Sequence, residues 1–310
     1  MEAGGINNKN SSGRVVALFG EVLADVFPDR SVLGGAPFNV ARHLRAFGMH
    51  PVLITRVGHD LIRDSLLKEM HDWDLDISGV QHDPVYPSGQ VQVLLEGGNH
   101  RYDILPDQAY DHIHAGLAHM TAISYRPELA YFGTLAQRGM PSRLAMDKFL
   151  SDGKCPRFLD INLRVPWYNR HTVKRSLLRA DFVKMNEEEL GIITEYFKIK
   201  EPNSQRKALV LADRFEIRQL LVTAGAAGGW LLNKQELYLT EPAQVLHSLI
   251  DTVGAGDAFA AVFIKGLLEG WDMQITLQRA NQFAAAICGI RGAAPKSLDF
   301  YIPFKKAWNI

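Results

Sequence analysis

Short apolar runs alternate with stretches whose apolar residues recur at helical spacing, and this rhythm persists along most of the chain. Val15–Phe19 is apolar throughout and stops at Gly20, the pattern of a buried strand. "PFNVARHLRAFG" then carries apolar residues three and four apart and ends on Gly48, which predicts a helix with a glycine at its C-terminal cap. "VLITRVG" reads as a strand and "DLIRDSLLKEMHDW" as a helix. The same pairing returns in "LAYFG" before "PSRLAMDKFLSDG", "RFLDIN" before "NRHTVKRSLLRA", and "DFVKMN" before "EEELGIITEYF". "KALVLADRFEI" precedes a further strand, "QLLVTAG". Strands alternating with helices predict an α/β fold built on a parallel, doubly wound sheet.

One stretch departs from the rhythm. Gly89–Leu105 reads as two strands around a Gly-Gly-Asn turn, an antiparallel hairpin that predicts a small accessory sheet beside the main domain. Val91, Val93 and Leu95 alternate along it and give it one apolar face, able to cover a ligand, meet a second copy, or both. A lone hairpin is marginal in water and seeks a partner surface, so a homodimer through this element is expected.

Composition narrows the class. Of 310 residues, 47% are hydrophobic and 22% charged, which is globular composition with material for a large core. Formal net charge is zero, so charge gives no reason to expect a nucleic-acid or membrane-surface partner. No apolar run reaches the roughly 18 residues of a membrane span. Cys155 and Cys288 are not in a CxxC spacing and read as reduced thiols of a cytoplasmic protein. Residues 1–13 are small and polar, without the apolar core of a signal peptide, and read as a disordered N-terminus.

Several chemistries are absent from the sequence. It has no GxxxxGK[ST], no GxGxxG after its first strand, no HExxH and no paired CxxC. His112, His114 and His119 cluster in "DHIHAGLAH" and read as surface helix positions. The informative stretch is "LIDTVGAGDAFAAVFIKGLLEG". Small residues Gly254, Ala255 and Gly256 open an apolar helix, and such a terminus leaves uncovered N–H groups that attract anions. Asp257 beside that anion hole fits a general base, taking a proton from a hydroxyl that attacks a phosphate. A cap on the helix N-terminus is the plainer alternative.

These residues resemble a known family. "DTVGAGDAFAAVFIKGL" is similar to the C-terminal signature of the ribokinase family of sugar kinases. "GEVLAD" followed by "LGGAPFNVARHLRAFG" resembles its sugar-binding signature, and Asn186 and Glu189 in "MNEEE" match its NxxE element. "VTAGAAGGW" resembles its nucleotide segment and "ANQFAAAICGIRGA" its adenine-side helix. The motifs run in family order from about Val15 to Pro295, and "GGAPFNVA" with "DINLR" most resembles bacterial fructokinases and their close relatives.

The resemblance implies a three-layer α/β/α ribokinase-like domain over residues 14–310, with lid strands within about 20–36 and 86–106. It implies ATP and Mg²⁺ as cofactors and a sugar as substrate, with fructose going to fructose 6-phosphate as the first reading. Another sugar or nucleoside (2-keto-3-deoxygluconate, ribose, adenosine) and a catalytically silent sugar sensor are the alternatives. Asp257 would be the base, and Gly254, Ala255 and Gly256 would present N–H groups to the transferring phosphoryl group. Asp25, Gly35 and Asn39 would hold the sugar, Gly35 by letting the backbone approach it closely; Asp25 could instead be a turn residue and Asn39 a helix cap. Asn162 and Arg164 would sit at a strand C-terminus and reach substrate oxygens, with a surface ion pair the alternative for Arg164. One of Arg101 and Tyr102 would reach down from the lid, since adjacent strand residues face opposite sides. Asn186 and Glu189 would position Mg²⁺ through its water shell, with Glu187 and Glu188 a solvated helix start. Thr223, Gly225 and Gly228 would line ribose and phosphates, and Asn281 would lie near adenine or be a satisfied core amide. A possible K⁺ would sit among Asp251 and the backbone of Val253, Ile290 and Gly292.

Overall fold

The computed structural model describes residues 13–96, 99–151, 155–242 and 249–310. The side chains of residues 95–101, and all but the last residue of the expected N-terminal tail, lie outside that description. The strands are β1 (Val15–Phe19), β2 (Leu23–Val26), β3 (Ser31–Gly34), β4 (His50–Val57), β5 (Val80–His82), β6 (Gly89–Glu96), β7 (Asn99–Ile104), β8 (Leu129–Phe132), β9 (Arg157–Asp160), β10 (Phe182–Asn186), β11 (Gln219–Thr223), β12 (Gly229–Asn233) and β13 (Glu236–Leu239). The helices are α1 (Ala36–Ala46), α2 (Leu61–Asp72), α3 (Ala115–Tyr125), α4 (Met140–Ser151), α5 (Arg170–Leu177), α6 (Glu187–Tyr196), α7 (Ser204–Phe215), α8 (Ala255–Glu269), α9 (Met273–Ile287) and α10 (Ile302–Trp308).

The main sheet has the order β13-β12-β11-β10-β9-β8-β1-β4-β5. From β11 to β5 every pairing is parallel; β12 and β13 add antiparallel edge strands. The expected all-parallel sheet is therefore corrected at one edge, where two short strands after Gly228 carry no period distinct from the loop that precedes them. Helices α3–α7 and the side chains of the sheet facing them form one core; α1, α2, α8, α9 and α10 form the other with the opposite face. That is a three-layer α/β/α sandwich. Helix α8 is buried continuously from Ala258 to Gly266, which explains why its sequence shows no polar face.

The accessory hairpin is not alone. It joins β2 and β3 in a four-stranded sheet of order β3-β2-β6-β7, with β2 parallel to β6 and the other pairings antiparallel. Val91 and Val93 are 4% and 3% exposed, so that part of its apolar face is already covered by the chain itself. Register places Asp25 opposite Val91, and Tyr102 opposite Val93, so Asp25 and Tyr102 share the covered face.

The chain leaves β1 toward β4 on one side and later returns to β8 on the other. The order in which strands are added reverses between β1 and β8, and open α/β sheets bind ligands outside strand C-termini at such a point. Glu21, Asn162, Arg164, Asn186 and Thr223 all lie at or just beyond C-terminal strand ends on this rim. No helix among the described residues is long and apolar enough to cross a membrane.

Candidate active site

The N-terminus of α8 faces this rim. Gly254 caps it with φ +80, and a Cβ there would lie 2.4 Å from the Cα of Ala293, so a side chain is excluded by both conformation and space. Beneath the turn runs a buried ion pair: Lys184 Nζ, from the middle of β10, donates to both carboxylate oxygens of Asp160 at 2.9 Å. The same ammonium lies 3.2 Å from where a Gly256 Cβ would be, which sets positive charge directly under the turn. The terminus thus combines the partial positive charge of first-turn N–H groups with a fixed cation.

Asp257 projects from the first turn of α8. Its Oδ2 accepts a 2.7 Å hydrogen bond from Asn39 Nδ2 on α1. Burial and then Asp160 push its carboxyl pKa up to about 6, while Asn39, Lys184 and Arg164 oppose the rise. A carboxyl with that value is ionised at neutral pH and yet a better proton acceptor than an exposed one. Asp25 is pushed up to about 6 by burial, moderated by Arg164. Glu21, 5% exposed and with no hydrogen-bond partner for Oε2, is pushed up to about 7 chiefly by burial. Arg164 is exposed, donates to its neighbour's carbonyl Leu163 O, and faces all three acids electrostatically. Asn162 takes up φ +44 at the turn that brings Arg164 round. Tyr102 lies on the same sheet face as Asp25, and burial, then Asp25 and Asp251, raises the pKa of its hydroxyl, whereas the side chain of Arg101 lies outside the described residues.

The structure adds local contacts at five of the expected residues. A Cβ on Gly35 would meet Glu21 O at 2.6 Å, so this glycine, at φ +105, admits the chain's own backbone. Asn39 sits inside α1 and caps nothing; its amide bridges Asp257 and Arg42. Asn186 and Glu189 close a capping box at the start of α6, with Asn186 Oδ1 accepting from Glu189 N at 2.8 Å and Glu189 Oε2 from Asn186 N at 2.9 Å. Glu189 Oε1 also accepts from Leu163 N at 2.8 Å, tying α6 to the loop that carries Arg164. Glu187 is not merely solvated: it receives Trp230 Nε1 at 2.9 Å and Ser204 Oγ at 2.7 Å.

Along the rim, Thr223 ends β11 and Gly225 and Gly228 follow at φ +56 and +90. A Cβ on Gly228 would sit 2.3 Å from Thr240 Oγ1 and 3.5 Å from Asn281 Nδ2, so Asn281 belongs to this corner; its amide donates to Glu241 O at 3.0 Å. Asp251 bridges two loops, accepting from Val253 N and from Gly292 N at 3.0 Å each. Val253, Ile290 and Gly292 are brought together by this bridge and by Cys288 O, which accepts from Ile250 and Asp251. Among the described residues no three His, Cys, Asp or Glu side chains are grouped to hold a metal ion. His112 stacks on Tyr86 at 3.6 Å and His114 caps α3.

Sequence reasoning passed over Asp160, Lys184, Glu21 and Arg42. A lysine inside the apolar run "DFVKMN" and an acid closing "RFLD" were the available signals, since a buried charge needs a partner.

The profile of the pfkB family of carbohydrate kinases matches residues 10–299. A sugar kinase of Pyrococcus horikoshii is 28% identical over 289 residues, covering 89% of this chain and 87% of its own. Its structure in complex with ATP superposes with a TM-score of 0.76 at 25% identity, over 90% of this chain and 93% of that one. A fructokinase of Escherichia coli is 29% identical, over 81% of this chain and 84% of its own. A fructokinase of Vibrio cholerae, solved with fructose, ADP and potassium, shares the fold at a TM-score of 0.77 and 23% identity, over 93% and 97% of the two chains. The chain belongs to the pfkB family of carbohydrate kinases.

Proposed function

We propose that this site transfers the γ-phosphoryl group of ATP to a sugar hydroxyl, with fructose as substrate and fructose 6-phosphate as product. The observation that carries the reading is Asp257, ionised and oriented by Asn39, on the first turn of a helix whose Gly254–Gly256 opening overlies Lys184. Asp257 takes the proton of the attacking hydroxyl, the oxygen–phosphorus bond forms, and ADP leaves. The N–H groups of Gly256 and Asp257, with Lys184 behind them, meet the charge that spreads over the phosphoryl oxygens, while Ala255 N donates to Thr252 O at 3.3 Å and holds the turn. Asp25, with Asn162, Arg164 and Tyr102, holds sugar hydroxyls beneath the four-stranded sheet, which acts as a lid. Asp25 is an ionised acceptor and Arg164 a donor, a pair that suits vicinal hydroxyls.

Thr223, Gly225, Gly228 and Asn281 form the nucleotide side, as the ATP complex of the P. horikoshii relative encourages. Mg²⁺, when bound, would neutralise phosphate charge. Each Glu189 oxygen takes one backbone N–H and keeps a lone pair for a water of that ion. A monovalent cation such as K⁺ fits beside Asp251 and the carbonyls of Val253, Ile290 and Gly292. A coupled ADP-release assay over fructose, ribose, 2-keto-3-deoxygluconate and adenosine tests the reading. Highest kcat/KM with fructose supports it; preference for another acceptor corrects the substrate, and no turnover with any, despite sugar binding, refutes the kinase.

A further inference from the structure

Asp257 is met from α1 by a single side chain, and that side chain is itself held. Asn39 Nδ2 donates to Asp257 Oδ2 at 2.7 Å, and Asn39 Oδ1 accepts from Arg42 Nη2 at 2.5 Å. The second arm of the guanidinium, Nη1, pairs with Glu69 on α2. Arg42 is 6% exposed, one helical turn from Asn39, and its guanidinium lies 4.6 Å above the Phe38 ring.

An amide can present either end, but a guanidinium can only donate. Arg42 therefore requires the oxygen of Asn39 to face it, and the NH₂ group is turned onto Asp257. Were the amide reversed, its oxygen would face a carboxylate oxygen, an arrangement stable only if Asp257 carried a proton. We propose that Arg42 is a positioning residue: acting through Asn39, it fixes Oδ2 of Asp257 as a hydrogen-bond acceptor, keeps the carboxylate ionised, and leaves Oδ1 as the oxygen that receives a proton. Its catalytic consequence rests on Asp257 being the base. Glu69 anchors the outer end of the relay, and Phe38 fixes the guanidinium plane.

Other charges act on the same carboxyl. Asp160 at the end of β9 and Glu21 after β1 favour its protonated form, whereas Lys184 on β10 and Arg164 beyond β9 favour the ionised one. Tyr131 on β8 is a further titratable neighbour. Around Arg42 stand Glu69, His43 and Tyr301. The relay supplies what these do not, a donor aimed at one chosen oxygen.

The test is the titration of Asp257 itself, followed by ¹³C NMR in the ligand-free full chain labelled at aspartate Cγ, the signal being assigned by its loss in Asp257→Asn. Arg42→Lys keeps the charge but lacks the fork that reaches two partners; Arg42→Met keeps the stem against Phe38 and serves if the lysine variant does not fold. Asn39→Ala removes the inner link and leaves the Arg42–Glu69 pair. Each should raise the Asp257 pKa by about one unit, the share of one hydrogen bond where two or three lower a carboxylate by about two. The double variant Arg42→Lys/Asn39→Ala should shift no further than Asn39→Ala alone, because both break one chain. The acid limb of kcat should move up with the titration, with kcat at neutral pH down about tenfold or more from misorientation. A folded Arg42 variant with an unchanged Asp257 titration overturns the proposal. Should Asp257→Asn keep its activity while the titration shifts appear, the relay stands and only the catalytic reading falls.

Discussion

Replacing Lys184 by methionine removes one half of the buried ion pair under the phosphate turn. Asp160 is 2% exposed and, among the described residues, would keep only the Tyr131 hydroxyl at 3.3 Å as a side-chain hydrogen-bond partner. Burial by itself pushes the pKa of Lys184 down, but contact with Asp160 more than offsets this and holds it above the ordinary lysine value, so the charges are strongly coupled. Breaking a buried pair on one side costs about 3–5 kcal/mol because an uncompensated charge remains. At about 2 °C per kcal/mol for a chain of this size, the thermal midpoint should fall by roughly 6–10 °C. The double variant Lys184→Met/Asp160→Asn removes both charges of the pair and should recover most of the loss. The orphaned Asp160 of the single variant should also gain a raised pKa, so its deficit should shrink as pH falls. Urea unfolding of the ligand-free proteins at pH 8 and 5.5 reads all three. The reasoning is refuted if Lys184→Met loses less than about 1 kcal/mol, or if the double variant is no more stable than the single.

Glu21 is a buried acid whose Oε2 has no hydrogen-bond partner, and its rise from 4.5 to about 7 converts to about 3 kcal/mol. A raised carboxyl favours the folded state below the unfolded pKa and loses that advantage as pH climbs through the folded one; Glu21→Gln should therefore stabilise the protein by up to that amount at pH 8, with the gain vanishing toward pH 4, measured by thermal melts across pH. Asp251 orders the loops beside the phosphate turn, so turnover should be faster in K⁺ than in large organic cations; equal rates would remove the proposed cation site. The four-stranded sheet should pair with its copy in a second chain, and light scattering at micromolar concentration should give twice the chain mass; a monomer mass would overturn that reading.

Much of the fold was legible because buried parallel strands and amphipathic helices carry distinct periods. β5, β12 and β13 were not, being short and set among loop residues, and β2 and β3 emerged only through the motif that contains them. The hairpin's partner was hidden because β2 pairs with β6 across more than sixty intervening residues. At the site, residues with a local signature were readable: the glycine-opened α8, the acid on its first turn, and Asn186 and Glu189 one helical turn apart. Their use was less so. Gly35 and Asn39 carry the spacing of ligand contacts, and the sequence did not show that one also accommodates Glu21 O and the other also bonds Asp257, relations that only long-range packing creates. Lys184 and Asp160 lie on neighbouring strands twenty-four residues apart, and no single window contains their bond.

The central claim is that Asp257 accepts the proton of the attacking hydroxyl. Asp257→Asn preserves shape, so single-turnover phosphorylation of fructose by ATP, alongside calorimetric binding of fructose, isolates the chemical step. The account predicts a rate lower by about 10²–10⁴-fold with sugar affinity nearly unchanged. A folded Asp257→Asn enzyme that keeps more than about a tenth of the wild-type rate would contradict it and leave the carboxylate as a first-turn charge favoured by the α8 N-terminus.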